Sequence, residues 1–274
     1  MDDLEKVSDD LHIDYDGDIT WLTLNRPEKL NALNSTIFDK LSEVLKSERQ
    51  SPSRVIVIRG AGRSFSAGHD LGSGAPEVIE PGDTIDDLDR QRGYLDVFFQ
   101  IWDHPKPVIA AIHGYCIAGA TQMATFCDLI VVANDAKISA SPLLPLGGGF
   151  ITPLLSYKIG PARAKLLSFI PGHKISGIEA VDWGWATLSV PEADLESKIR
   201  DLAQSIERTP AGILKMKKRA INRVFEIQGF RTTAYMGAET DVVVHGATEV
   251  NYFKELIQSE GLKTTLHRFK NVDS

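Results

Sequence analysis

The chain has little cysteine: only Cys116 and Cys127 in 274 residues. No CxxC pair and no Cys/His cluster at zinc spacing accompanies them, which excludes a disulfide-stapled scaffold and a structural zinc site. Both thiols lie among apolar or small residues, the setting of buried cysteines in a reducing compartment. A basic excess is missing too. Lys+Arg number 30 against 37 Asp+Glu, a net charge of -7. Nucleic-acid and anionic-membrane binders need clustered basic surface, so both classes are set aside. The one basic cluster, Lys215, Lys217, Lys218, Arg219 and Arg223, reads as a solvated helix face, with a small-ligand phosphate site as the alternative. No apolar run is long enough to span a bilayer. The acidic opening Met1-Asp2-Asp3-Leu4-Glu5 has no signal core or transit-peptide character, and Val272-Asp273-Ser274 is not a peroxisomal address. The expectation is a cytoplasmic protein.

What is present is an ordinary globular composition, 43% hydrophobic and 24% charged, enough for one large domain or two smaller ones. Ile19 to Leu24 reads as a strand ending at the Asn25-Arg26-Pro27 turn. A helix over Ser35 to Arg49, capped by Asn34 or Ser35, places Ile37, Phe38, Leu41, Val44 and Leu45 on one face. Val55-Ile56-Val57-Ile58 and Lys106 to Ile112 are continuous apolar runs, the mark of strands buried on both faces. Gly72 to Arg92, polar and rich in aspartate, reads as a mobile loop leading into a helix near Tyr94 to Trp102. A helix follows from Gly119 to about Cys127, then short strands at Leu129 to Ala133 and Lys137 to Ala140. From Pro161 the pattern turns helical. Alternating strands and helices with a helical tail predict an α/β core plus a helical appendage.

Two glycine-bearing segments carry the chemistry: Phe65-Ser66-Ala67-Gly68-His69-Asp70-Leu71 and Gly114-Tyr115-Cys116-Ile117-Ala118-Gly119-Ala120-Thr121-Gln122. Each follows a buried strand, and in parallel α/β sheets ligands collect beyond the carboxyl ends of strands. Ser66, His69 and Asp70 do not make a hydrolase triad, because triad side chains converge from separate parts of a fold. Gly119 lacks a Cβ and lets a ligand carbonyl approach the backbone. Two backbone N–H groups aimed at one point form an oxyanion hole.

With Asn25-Arg26-Pro27-Glu28-Lys29-Leu30-Asn31-Ala32-Leu33, Lys106 to Gly114, Cys127-Asp128-Leu129 and Ile175-Ser176-Gly177-Ile178-Glu179-Ala180, these segments occur in the order seen in the crotonase (enoyl-CoA hydratase/isomerase) superfamily, which the chain resembles nearly end to end. The resemblance implies an α/β fold, a crotonase-like spiral of ββα units over residues 1–205, with a helical C-terminal trimerisation region over 206–274. It implies acyl-CoA thioesters as substrates, with coenzyme A as part of the substrate and no separate cofactor or metal. The N–H groups of His69 and Gly119 would hold the thioester oxygen. Coenzyme A would lie near Lys29, Leu30, Ala32, Ala67, Asp70 and Leu71, with Lys270 or Arg268 reaching its phosphates. Homotrimers or dimers of trimers are the implied assembly.

The chain departs from that pattern where hydratases of the family carry two glutamates. One position is Gln122, which orients water but is no base. The other lies in the loop Ser139-Ala140-Ser141-Pro142-Leu143-Leu144, which has no carboxylate. Asp83, Asp86, Asp87 and Asp89 of the polar stretch and Glu239 and Asp241 of the helical tail are candidate substitutes, each read as a solvated surface group in the first instance. Tyr94, Tyr115, Trp102, Trp183 and Trp185 read as core aromatics. Three outcomes stay open: an enoyl-CoA hydratase or isomerase; a thioester hydrolase, decarboxylase or C–C lyase on the same oxyanion hole; and a non-catalytic acyl-CoA binder.

Overall fold

A computed structural model describes residues 10–71, 83–147 and 152–270. The main sheet has strands β1 (Leu11–Asp16), β2 (Ile19–Leu24), β3 (Val55–Gly60), β4 (Val108–Ile112), β6 (Leu129–Ala133) and β8 (Leu188–Val190), in that spatial order. Only the β1–β2 hairpin is antiparallel; every later neighbour is parallel. A second, smaller sheet pairs β5 (Tyr115–Ile117) with β7 (Lys137–Ser139) in parallel.

The apolar runs are explained by cover on both faces. Leu22, Leu24, Ile56, Ile58, Val108, Ala110, Ile112 and Val132 face one core. There they meet Ile37, Phe38 and Leu41 of α1 (Ser35–Glu48) and Leu95, Phe98 and Trp102 of α2 (Thr84–Trp102). The alternate residues Trp21, Val55, Val57, Ile109 and Val131 face the other side. They are covered by Leu195, Ile199 and Ala203 of α6 (Leu195–Glu207). Asn34 caps α1 by accepting from the Ile37 N–H at 3.0 Å.

The remaining helices are α3 (Gly119–Thr125), α4 (Thr152–Phe169, broken at Gly160), α5 (Gly177–Asp182), α7 (Ala211–Ile227), α8 (Phe230–His245), α9 (Thr248–Glu260) and α10 (Leu262–Lys270). Phe230 of α8 inserts among Phe99, Trp102 and Phe126, stacking on Trp102 at 4.6 Å. On α7, Lys218 is not solvated as its charge run suggested. Its Nζ donates to Asp128 Oδ2 at 2.7 Å and to the Ile101 carbonyl at 3.0 Å. Among the described residues no helix is long and apolar enough to cross a membrane.

Two sequence expectations need correction. Residues 84–92 are helical, because α2 begins at Thr84: Asp83 caps it by accepting from the N–H groups of Ile85 and Asp86. Residues 72–82, the rest of the expected loop, lie outside the described residues. The short strands β1 and β8 were not anticipated.

Candidate active site

The two glycine-bearing segments leave the carboxyl ends of β3 and β4 and run on side by side. The Phe65 N–H donates to the His113 carbonyl at 2.8 Å, Ser66 N–H to Tyr115 O at 2.9 Å, and Ile117 N–H to Ser66 O at 3.1 Å. This ladder brings Gly68-His69 against Ala118-Gly119. Gly68 has φ +89°, and a Cβ there would lie 2.6 Å from the Ile117 carbonyl and 3.1 Å from the Gly119 nitrogen. Only glycine permits that approach. A Cβ on Gly119 would lie 2.6 Å from Cδ2 of the His69 ring. Ala118 between them is held at φ 47°, ψ -112°, a region that non-glycine residues enter only under constraint. The constraint is its N–H, which donates to the Ser139 carbonyl at 2.8 Å. Among the described residues, neither the His69 N–H nor the Gly119 N–H donates to another group.

His69 does not project into solvent. Its ring stacks on Tyr94 at 5.3 Å and on Phe38 at 5.8 Å. Its Nε2 lies 3.4 Å from Gln122 Oε1. Burial pushes its pKa down to about 4, with the Arg90 and His245 charges adding to that and the Gln122 contact opposing it. The ring is therefore neutral near pH 7, and Gln122 is placed to fix its tautomer.

The coenzyme-A candidates converge on the other side of the first segment. Leu30 and Asn31 turn the chain with left-handed φ values of 51° and 54°. Asn31 locks the turn: its Oδ1 accepts from the Arg26 N–H at 2.9 Å, and its Nδ2 donates to the Ala61 and Ser64 carbonyls. Leu30 O then accepts from the Ala67 N–H at 2.9 Å, and Leu33 O from the Asp70 N–H at 2.8 Å. Lys29, Leu30 and Ala32 thereby lie beside Ala67, Asp70 and Leu71. Asp70, one of these coenzyme-A candidates, has a buried carboxylate that accepts from Arg26 Nη2 at 2.8 Å, and Arg26 Nη1 donates to Ala32 O at 2.6 Å. The half-exposed Lys29 ammonium is 3.7 Å from Asp70 Oδ2. Leu71 packs with Leu144, Leu146, Val250, Phe253, Leu266 and Phe269, so α9 and α10 cover the loop that follows β7.

In that loop the Ser139 hydroxyl is buried and donates to Ser141 O at 2.7 Å. Neither cysteine is a nucleophile: burial pushes Cys116 up to about 12 and raises Cys127 further. The ionisable groups near the site are ones that the sequence placed on the surface. Asp87 and Asp241 are buried, and Asp87 Oδ2 lies 2.7 Å from His245 Nδ1. Asp83, Asp86 and Asp89 are exposed, and exposed Glu239 pairs with Arg92. Burial raises the Asp87 pKa, but the His245 hydrogen bond, the His245 and Arg90 charges and Gln91 outweigh it and hold the carboxyl below its usual range. Sequence reading missed His245 and the burial of Asp87. The recurrence of Asp87, Gln91, Tyr94 and Phe98 at helical spacing was the available signal.

Comparison with known proteins identifies the family. A model of the enoyl-CoA hydratase/isomerase family matches residues 14–270. The 1,2-epoxyphenylacetyl-CoA isomerase of Escherichia coli (strain K12) is 34% identical over 208 residues, 73% of this chain and 77% of that protein. The carnitinyl-CoA dehydratase of the same strain is 31% identical over 261 residues, 93% of this chain and 92% of that one. A crystal structure of an enoyl-CoA hydratase/isomerase-class protein from Novosphingobium aromaticivorans DSM 12444 superposes with a TM-score of 0.90 at 37% identity, covering 95% of each chain. With its parallel sheet, its paired glycine segments and these likenesses, the chain belongs to the enoyl-CoA hydratase/isomerase family of the crotonase superfamily.

Proposed function

We propose that the protein is an acyl-CoA-processing enzyme that stabilises a thioester enolate between the backbone N–H groups of His69 and Gly119. The observation that carries this reading is the convergence of these two segments, each N–H free of any partner among the described residues. Preorganised backbone donors aimed at a developing oxyanion commonly form the largest single contribution to such catalysis. Coenzyme A would lie along Lys29 to Ala32 and Ala67 to Leu71, with the Lys29 ammonium at its polar end. The family's isomerase and dehydratase members act on CoA thioesters by name, which supports the substrate class.

Gln122 and the carboxylate-free loop favour a proton shift or bond cleavage over addition of water. An amide cannot take up a proton near neutral pH. Ordinary hydration loses the roughly 10²–10⁴-fold that general acid–base groups provide.

The test pairs calorimetric binding of acyl-CoA thioesters with turnover on an enoyl-CoA panel, reading hydration and release of free CoA separately. Wild-type protein is expected to bind thioesters and to turn over at least one. In Gly119→Ala the new Cβ must displace the His69 ring, and turnover should fall by about 10²-fold or more, the usual cost of losing one oxyanion donor. Absence of thioester binding by the wild type would overturn the reading.

A further inference from the structure

A pair of ionisable side chains stands beside the loop that lacks a carboxylate. Asp87 on α2 is only 2% exposed. Its Oδ2 meets Nδ1 of His245, the last residue of α8, at 2.7 Å, and its Oδ1 contacts the Arg90 guanidinium one turn further along α2. Whenever the imidazole is neutral beside an ionised carboxylate, Nδ1 is its protonated nitrogen and Nε2 carries the lone pair. Among the described residues only Nδ1 of that ring is engaged.

The direction of Nε2 follows from Gly147. A Cβ built there would lie 3.2 Å from His245 Nε2 and 3.0 Å from Asp241 Oδ1. Gly147 ends the described part of the loop after β7. The dyad is joined to the first oxyanion segment through α2. Asp87 and Tyr94 share a face of α2, separated by two helical turns or about 10 Å along the axis, and Tyr94 stacks on His69. Other charged groups around the imidazole are Asp241 on its own helix and Lys254 of α9, whose Nζ donates to the His245 carbonyl at 2.8 Å.

We infer that His245, oriented by Asp87, is the proton-transferring base of this protein, acting through Nε2 on the acyl group of a CoA thioester held at His69 and Gly119. The inference rests on the acyl-CoA reading above. In the step it performs, a C–H bond of the acyl chain breaks and an N–H bond forms on Nε2. The electron pair moves into a conjugated enolate whose charge lies on the thioester oxygen. The imidazolium then returns the proton to another carbon of the same chain, so the step needs no co-reactant. The substrate class for such a step is an unsaturated acyl-CoA in which both carbons that exchange the proton are conjugated with the thioester. His245 is then the catalytic residue and Asp87 a positioning residue.

The experiment measures deuterium incorporation from D2O into 2-enoyl- and 3-enoyl-CoA thioesters. Binding of the saturated butyryl-CoA is read by calorimetry on the same samples, for wild type, His245→Ala, His245→Gln and Asp87→Asn. Expected are binding within about threefold of wild type in all variants and incorporation lowered roughly 10²–10⁴-fold in both His245 variants. Imidazole added to His245→Ala should restore part of the rate, and the same addition to His245→Gln, whose side chain fills the site, should not. Asp87→Asn should lower incorporation while leaving butyryl-CoA binding unchanged. Wild-type incorporation in either His245 variant overturns the assignment. So does loss of binding in His245→Ala with recovery of binding and incorporation in His245→Gln, because that marks a packing group. A wild type that binds butyryl-CoA but incorporates no deuterium overturns the base and leaves the binding reading standing. A wild type that binds no thioester overturns the acyl-CoA reading itself.

Discussion

His104 is buried in its neutral form by its hydrogen bonds. Its Nε2 meets the Leu45 carbonyl at 3.1 Å, and its Nδ1 accepts from the Lys106 N–H at 3.2 Å. Burial, with the Lys218 charge, pushes its pKa down to about 4, the same depression that burial gives His69. For each ring the folded value lies below the ordinary 6.5. Between these values the unfolded chain binds a proton that the folded chain does not, so stability falls as pH falls. Each histidine should remove about 2 kcal/mol between pH 7 and pH 5. Urea unfolding at the two pH values measures the sum, and His104→Gln should flatten about half of the slope. Glu48 and Asp87, both held below the usual carboxylate range, act in the same direction at lower pH. The buried Arg26–Asp70 pair gives a second residue-scale prediction. Arg26→Ala removes the 2.8 Å partner of a carboxylate that is 5% exposed and leaves Lys29 at 3.7 Å, and breaking a buried pair costs at most about 3–5 kcal/mol. The chemical-denaturation midpoint reads this directly.

At the scale of elements, the turn at Ala118 stores strain because its N–H is tied to Ser139 O while Gly119 must begin α3. Ala118→Gly relieves the positive φ and should raise stability by about 1 kcal/mol, measurable as a higher melting temperature. Elements were legible where packing imposes a pattern. The continuous runs at Val55 and Val108 announce strands covered on both faces, and the helical spacing of Ile37, Phe38 and Leu41 announces α1. The strand β8 was not legible, because its three half-buried residues, Leu188–Val190, show no such pattern. The first half of α2 reads as a loop in the sequence because aspartates crowd it. One of them is its cap and another is buried against a histidine 158 residues away in sequence, and no local pattern encodes a contact of that range. The same holds for the site. Gly68 and Gly119 are visible in the sequence as places of close approach. The buried Asp87–His245 pair exists only once α8 has docked on α2.

For the whole molecule, the feature to account for is α7, which buries no residue. Ile213, Met216, Val224 and Ile227 are exposed along one face of it, and apolar patches of that kind mark association surfaces. With the family likeness, this supports the proposed trimer or dimer of trimers. Sedimentation should give an oligomer, and Met216→Glu with Val224→Glu should shift it toward monomer; a wild-type monomer would contradict the assembly. Lys218, on the inner side of the same helix, holds α7 to Asp128 and to the end of α2.

The helix α8 has two dissimilar sides. Asp241 and His245 are turned toward the loop after β7, while Met236 and Val243 of the same helix stand exposed. Whatever presses on the outer side therefore bears on the helix that sets the imidazole. A subunit standing alone would keep its sheet and its backbone donors but hold His245 less firmly. Specific activity per chain should then decline on dilution before any loss of folded structure, and a neighbouring copy would serve as part of the enzyme's working parts as well as its packing.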